Sequence, residues 1–279
     1  MSEKLTRDQQ RAEAREKAKL SREKEVKKNK RRKLFIQLGI LAGALSVGAI
    51  VFFTVSSVKP PTPQEYPVNL ISDGVVMTQD LDVVQTESSN GTPVTTVTDE
   101  GKVKVDIFVD YLCPFCKQFE GSQEKVLKKY VQSGDVQLEI HPLSMVSQYS
   151  AIAANASACV AETDSKKWWD FNYTLYADQP DEAQARTWSK KKSIDYVKTS
   201  ASSLGVNEKT MKCIEDVPYF DWSVAATERA ATGPLPYIDV KAIQGTPTVI
   251  IDGMQWRGDF VTNPNALDEF LASAVAAKK

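Results

Sequence analysis

A run of twenty-two residues without a formal charge, Leu34 to Val55, constrains this chain more than any other feature. As a helix it extends about 33 Å, close to the thickness of a bilayer's hydrocarbon core. Helices buried in globular cores seldom run so long without a charged residue. The flanks are asymmetric. Residues 1–33 hold fourteen Lys/Arg and six Asp/Glu, a net +8, which leaves −9 for the rest of a chain whose formal charge is −1. Lys28, Lys30, Arg31, Arg32 and Lys33 abut the apolar run, whereas on its far side only Lys59 lies nearby. The positive-inside bias therefore predicts a single-pass cell-membrane protein. Residues 1–33 form its basic cytoplasmic segment, 34–56 its transmembrane helix, and everything beyond is extracytoplasmic. A cleaved signal peptide fits less well, because its apolar region spans about 7–15 residues behind a short basic start.

The basic segment mixes acidic and basic groups and has no apolar face, which predicts a solvated leader that fixes topology. Contact with anionic membrane lipid is a further role that such charge supports. Nucleic-acid binding is not indicated, since no aromatics interleave with the charge. Lys59-Pro-Pro-Thr-Pro63 reads as a stiff spacer within a Pro-rich linker, 57–66. A soluble domain is predicted over 67–279, where all four cysteines lie beyond residue 100. On the outer side of the membrane disulfides persist.

Within that domain the strand signals are weak at Val75–Met77 and Asp82–Val84, and Pro93–Thr98 leads into or pairs with the next strand. Val103–Val109 is clear: VKVDIFV is rich in β-branched and aromatic residues and follows Gly101. Lys117–Gln132 reads as a helix with Phe119, Val126, Leu127 and Tyr130 on one face and a stop at Ser133-Gly134. Val136–Ile140 is a second strand, ending at His141-Pro142. From about 145 to 235 helix follows helix: Ala151–Glu162, Trp168–Ala177, Ser193–Leu204, Glu208–Ile214 and Tyr219–Ala231. Trp168, Phe171, Leu175 and Tyr176 recur at helical spacing and read as core. Thr248–Ile251, a turn at Asp252-Gly253 and Met254–Arg257 form a hairpin, and Asn265–Ala277 a closing helix.

Between the first clear strand and the first helix stands Cys113-Pro114-Phe115-Cys116. Such a pair is half of a zinc site, a structural disulfide or a redox couple. Structural zinc usually takes two paired ligand clusters, whereas Cys159 and Cys213 are single and His141 is the only histidine. A four-residue loop removes little entropy from the unfolded chain, so a purely structural bridge is poorly motivated. The redox reading remains, and it needs no metal or organic cofactor. At a helix N-terminus the backbone N–H groups and the macrodipole favour an anion, and Pro114 suits a first turn. Cys113 is the expected nucleophile, and Cys116, one turn on, the resolving thiol.

VDIFVDYL leading into Cys113–Cys116, with Gly245-Thr246-Pro247-Thr248-Val249 far downstream, resembles the thioredoxin superfamily and, within it, the DsbA-like branch of membrane-tethered actinobacterial and other Gram-positive proteins. The resemblance covers roughly Val103 to the C-terminus. It implies an α/β thioredoxin fold with an inserted helical domain at about 145–235, preceded here by one N-terminal transmembrane helix. It implies a cis Pro247 facing the cysteines, Thr246 pairing with an extended substrate strand, and Phe115 inside the redox motif. It also implies a structural disulfide between Cys159 and Cys213, with a second redox pair or two free thiols as alternatives. The function implied is a thiol–disulfide oxidoreductase that oxidises cysteine-containing exported proteins. Its reoxidase would be a membrane quinone-linked partner, vitamin-K-epoxide-reductase-like or DsbB-like. The same chemistry run as a membrane-fed reductase or isomerase is one alternative, and a redox-inert anchored chaperone is another.

Two positions depart from the family pattern. Thioredoxins carry a buried acid six residues before the first cysteine, where this chain has Ile107. Asp106 falls on the opposite face of the strand, so Asp110 is the candidate for proton transfer near Cys116, unless it is merely a solvated strand end. Phe115 stands where the strongly oxidising DsbA has a histidine, and His141 reads as a strand-end residue rather than its replacement.

Overall fold

The computed structural model describes residues 66–87, 93–94 and 101–279. The basic segment, the apolar run and most of the linker lie outside these residues, as does the segment 95–98. Among the described residues no helix is long and apolar enough to cross a membrane. The predicted linker reaches one residue too far: Tyr66 is buried in the core, and its hydroxyl bonds the Asp73 carboxylate.

Five strands form one sheet in the order β1-β3-β2-β4-β5. They are β1 (Val75–Val76), β2 (Val103–Asp110), β3 (Val136–Leu143), β4 (Thr248–Ile251) and β5 (Met254–Gln255). β2 pairs in parallel with β3 and antiparallel with β4, so it is central. Alternation along it splits the core. Val103, Val105, Ile107 and Val109 pack on one face, and Phe108 joins a smaller cluster with Tyr237, Val240 and Ile250 on the other.

β3 runs three residues further than its sequence predicts. Phe108, Val109 and Asp110 stay in register with His141, Pro142 and Leu143. Pro142 is tolerated because β1 pairs only with Glu139 and Ile140, so beyond them that edge asks for no N–H. His141 is therefore a buried residue within the strand and not a strand-end residue.

Helix α1 (Pro114–Ser133) joins β2 to β3 in a strand–helix–strand unit. Cys113 is its N-cap residue, Pro114 opens its first turn, and Gly134 closes it at φ 78 with an N–H to the Val131 carbonyl. The helical unit then follows: α2 (Gln148–Thr163), α3 (Trp168–Ala177), α4 (Glu182–Ala185), α5 (Lys190–Ser203), α6 (Glu208–Asp216) and α7 (Phe220–Thr232). The four-residue α4, capped by Asp181, is too short to leave a periodic signal in sequence.

α2 is buried from Tyr149 to Ala161 on all sides. Its alanines and serines let α3, α5, α6 and α7 close around it, as an amphipathic helix of large residues would not. Cys159 on α2 and Cys213 on α6 form a disulfide, with Cα atoms 5.8 Å apart. Helix α8 (Ala266–Lys278) returns to the sheet, where Leu267, Leu271 and Val275 are buried. Its docking on α1 is fixed by Lys129 to Asp268 at 2.6 Å and by the Tyr130 hydroxyl donating to the Asp268 carbonyl at 3.1 Å.

Candidate active site

The C-terminal end of β2 and the first turn of α1 place Cys113 and Cys116 at a strand–helix junction, both as free thiols. Cys116 is wholly buried, Cys113 is 8% exposed, and Phe115 between them is 64% exposed. The loop Gly245–Pro247 meets them from far along the chain, Thr246 lying 133 positions after Cys113, brought there by β4 pairing beside β2. The Cys113 thiol donates to the Thr246 carbonyl at 3.2 Å, and the Thr246–Pro247 peptide is cis.

The two sulfurs differ in acidity because their surroundings differ. Cys113 is held down to about 6, chiefly by a hydrogen bond from the Cys116 thiol. Burial opposes this, and the Thr246 side chain with the backbone N–H groups of Cys116 and Phe115 adds to it. The helix end thus contributes, but the neighbouring thiol contributes more than the sequence suggests. Cys116 is pushed well above the ordinary thiol range by its burial and by the adjacent Cys113 sulfur. One thiol is acidified and the other keeps its proton, an asymmetry that suits thiol–disulfide exchange.

Asp110 is brought close to Cys116, and it is not a solvated strand end. It is fully buried, and its backbone N–H points to the Cys116 sulfur at 3.5 Å. Its carboxylate accepts four hydrogen bonds: from Leu112 N–H at 2.8 Å, Ser150 Oγ at 2.7 Å, Met145 N–H at 2.7 Å and Val146 N–H at 3.0 Å. Burial pushes it up to about 6 against the pull of those donors. The side chain ties the active-site loop to the start of α2, where Ser147 and Ser150 form a reciprocal cap.

Gln179 is a residue that sequence reasoning missed. Its amide donates to the carbonyls of Tyr111 at 3.0 Å and Cys113 at 3.1 Å, so the helical unit grips the peptide that carries Cys113. A glutamine after a helix has no pattern that would single it out. Glu120 was also missed, although its spacing of four from Cys116 places both on one face of α1.

His141 lies on the other face of the sheet, stacked on Phe108 at 4.3 Å between ring centroids. Asp106, Glu139 and His141 bring ligand-type atoms within 4.8 Å of one another. The Lys104 ammonium already occupies that cluster, 3.1 Å from Asp106 and 3.4 Å from Glu139. The two carboxylates therefore have a resident cation, and their charge raises the His141 pKa against the effect of its burial.

The chain is similar to known proteins in sequence and in fold. The chain is 36% identical over 87 residues to disulfide bond formation protein D of Bacillus subtilis, a match covering 31% of this chain and 39% of that protein. It is 25% identical over 176 residues to the probable disulfide bond formation protein D of Bacillus cereus, covering 62% of this chain and 76% of the relative. The fold is shared with two solved thiol–disulfide proteins. Oxidised Mtb DsbA superposes with a TM-score of 0.52 at 24% identity, over 72% of this chain and 92% of that one. MdbA, a thiol-disulfide oxidoreductase from Corynebacterium matruchotii, does so at 0.53 and 21%, over 73% and 92%. The family model described as Thioredoxin matches residues 89–272, about two thirds of the sequence, and the chain belongs to that family.

Proposed function

We propose that this protein is a DsbA-like thiol–disulfide oxidoreductase that introduces disulfides into exported proteins through Cys113 and Cys116. The observation that carries the reading is the inequality of the two thiols: Cys113 acidified beside Thr246-Pro247, Cys116 buried and kept protonated. A substrate thiolate attacks Sγ of Cys113 in the oxidised pair, forming a mixed disulfide and expelling Cys116 as the leaving sulfur. A second substrate thiolate then attacks the substrate sulfur of that bond. The substrate leaves oxidised, and Cys113 and Cys116 retain two electrons.

A membrane quinone-linked reoxidase, vitamin-K-epoxide-reductase-like or DsbB-like, takes those electrons in the proposed cycle. The placement outside a single membrane span rests on the apolar run 34–55 and the basic residues before it. Pro247 has no N–H and Phe115 is exposed beside Cys113, which leaves an open edge and an apolar contact for an extended, unfolded client.

The test is trapping in the intact cell. A Cys116→Ala variant accumulates mixed disulfides through Cys113, with clients named by mass spectrometry and released by reductant. A Cys113→Ser variant that leaves disulfide formation in exported proteins unchanged contradicts the proposal. The reduction potential sets the direction: about −120 mV fits an oxidase and about −270 mV a reductase.

A further inference from the structure

Helix α1 buries the stripe Cys116, Phe119, Glu120, Gln123, Leu127, Tyr130 and Val131. Glu120 is the acid in it, one turn beyond Cys116 and on the same face. Its side chain is fully buried, and neither carboxyl oxygen has a hydrogen-bond partner. Asn172 and Tyr173 of α3 face it without closing a bond of standard geometry. Tyr176, on the same helix, lies in the electrostatic field of both Cys116 and Glu120. The Tyr173 and Tyr176 hydroxyls and the Asn172 amide nitrogen also lack partners among the described residues.

Unpartnered polar atoms are expensive in a protein interior, and here four residues contribute them in one place behind the resolving thiol. A carboxyl group so placed favours its neutral form. Burial, with Glu124 nearby, pushes Glu120 up to about 8. On β2, six residues before Cys113, stands Ile107, which is apolar and buried.

We propose that Glu120 is the proton store for Cys116, acting from the helix side, where position 107 of strand β2 holds an isoleucine and not an acid. This deepens the oxidoreductase reading and rests on it. When a substrate thiolate attacks Sγ of Cys113, the Sγ–Sγ bond breaks and its electron pair leaves on Cys116. That sulfur takes the Glu120 proton and leaves a carboxylate. When Cys116 attacks a Cys113 mixed disulfide, its proton returns to Glu120 and the substrate departs as a thiolate. Exchange with solvent runs past Tyr173 and Tyr176, which line a groove between α1 and α3 with Lys117, Gly121 and Glu124. Glu120 touches no substrate; it acts as general acid and base on the Cys116 sulfur.

The experiment uses the reduced full-length protein and dithionitrobenzoate. Cys113 releases one chromophore on forming the mixed disulfide, and Cys116 releases a second on resolving it. Glu120→Gln is expected to slow the second release by about a hundredfold near neutral pH, and to abolish an inflection that the wild type shows near pH 8. A second release at the wild-type rate with the wild-type pH profile overturns the proposal. Absence of the first release strikes the redox reading instead. Should Glu120→Gln not fold, redox-difference infrared spectra of the wild type decide. A protonated carboxyl band that moves between oxidised and reduced protein, and is lost as pH rises through about 8, supports the proposal. A spectrum without one overturns it.

Discussion

The Sγ of Cys113 lies 3.2 Å from the carbonyl oxygen of Thr246, a residue 133 positions later in the chain. That contact joins the helix that activates the sulfur to the loop that ends at Pro247. It exists because β4 lies antiparallel beside β2 and delivers its preceding loop to the end of the strand that carries the cysteines.

Asp110 is a structural anchor of this junction, so replacing it harms folding before it harms chemistry. Asp110→Ala leaves Leu112 N–H, Met145 N–H, Val146 N–H and Ser150 Oγ without their acceptor. Buried donors left unpaired cost roughly 1–3 kcal/mol each, without strict additivity. A loss of about 3 kcal/mol or more in urea unfolding is expected. Asp110→Asn should retain part of it, since the amide oxygen still accepts.

The Cys159–Cys213 bridge closes a loop with a sequence separation of 54. On the chain-entropy account it stabilises the fold by about 4 kcal/mol. A Cys159→Ala/Cys213→Ala variant should lose stability of that order in denaturant melts and keep its Cys113 reactivity under conditions where it is folded.

The buried acids set a sign for stability against pH. Glu120, near 4.5 when unfolded and about 8 when folded, keeps its proton in the native state alone between those values. Stability therefore falls as pH rises through that window, with a slope of about 1.4 kcal/mol per pH unit. Asp110 adds the same sign between about 3.8 and 6. In the oxidised protein, where Cys113 and Cys116 do not titrate, Glu120→Gln should flatten the curve between pH 6.5 and 8 in denaturant titrations.

Gln179→Ala removes two hydrogen bonds to the loop carbonyls of Tyr111 and Cys113. A cost of about 1–2 kcal/mol is expected, together with faster amide hydrogen exchange confined to residues 111–116. Uniform loss of protection across α2 and α3 would contradict a local role.

The strand, the cysteine pair and the helix after it are legible in sequence because each signal is local. VKVDIFV has the β-branched run of a central strand, and Cys113-Pro114 has the first-turn chemistry of a helix. The Thr246-Pro247 loop is readable only through family resemblance, since no local signal joins positions 133 residues apart. Asp110 read as a strand-end carboxylate because three of its four donors, Met145, Val146 and Ser150, come from beyond β3, more than thirty residues later. His141 read as a strand end because Pro142 suggests a stop, and only the shortness of β1 explains why the strand continues. Glu120 is hidden by its type: a glutamate within a helix ordinarily faces water, and its burial depends on α3 packing over it.

The most direct test of the account is the pH dependence of alkylation of each thiol in the reduced protein, followed by mass spectrometry. Cys113 is predicted to react with a midpoint near pH 6, ahead of Cys116 at every pH. In Cys116→Ala the midpoint should move upward, because the Cys116 thiol is the largest acidifying contact. A Cys113 midpoint in the ordinary range near 8.5, or alkylation of Cys116 first, would contradict the division of labour on which the proposed function rests.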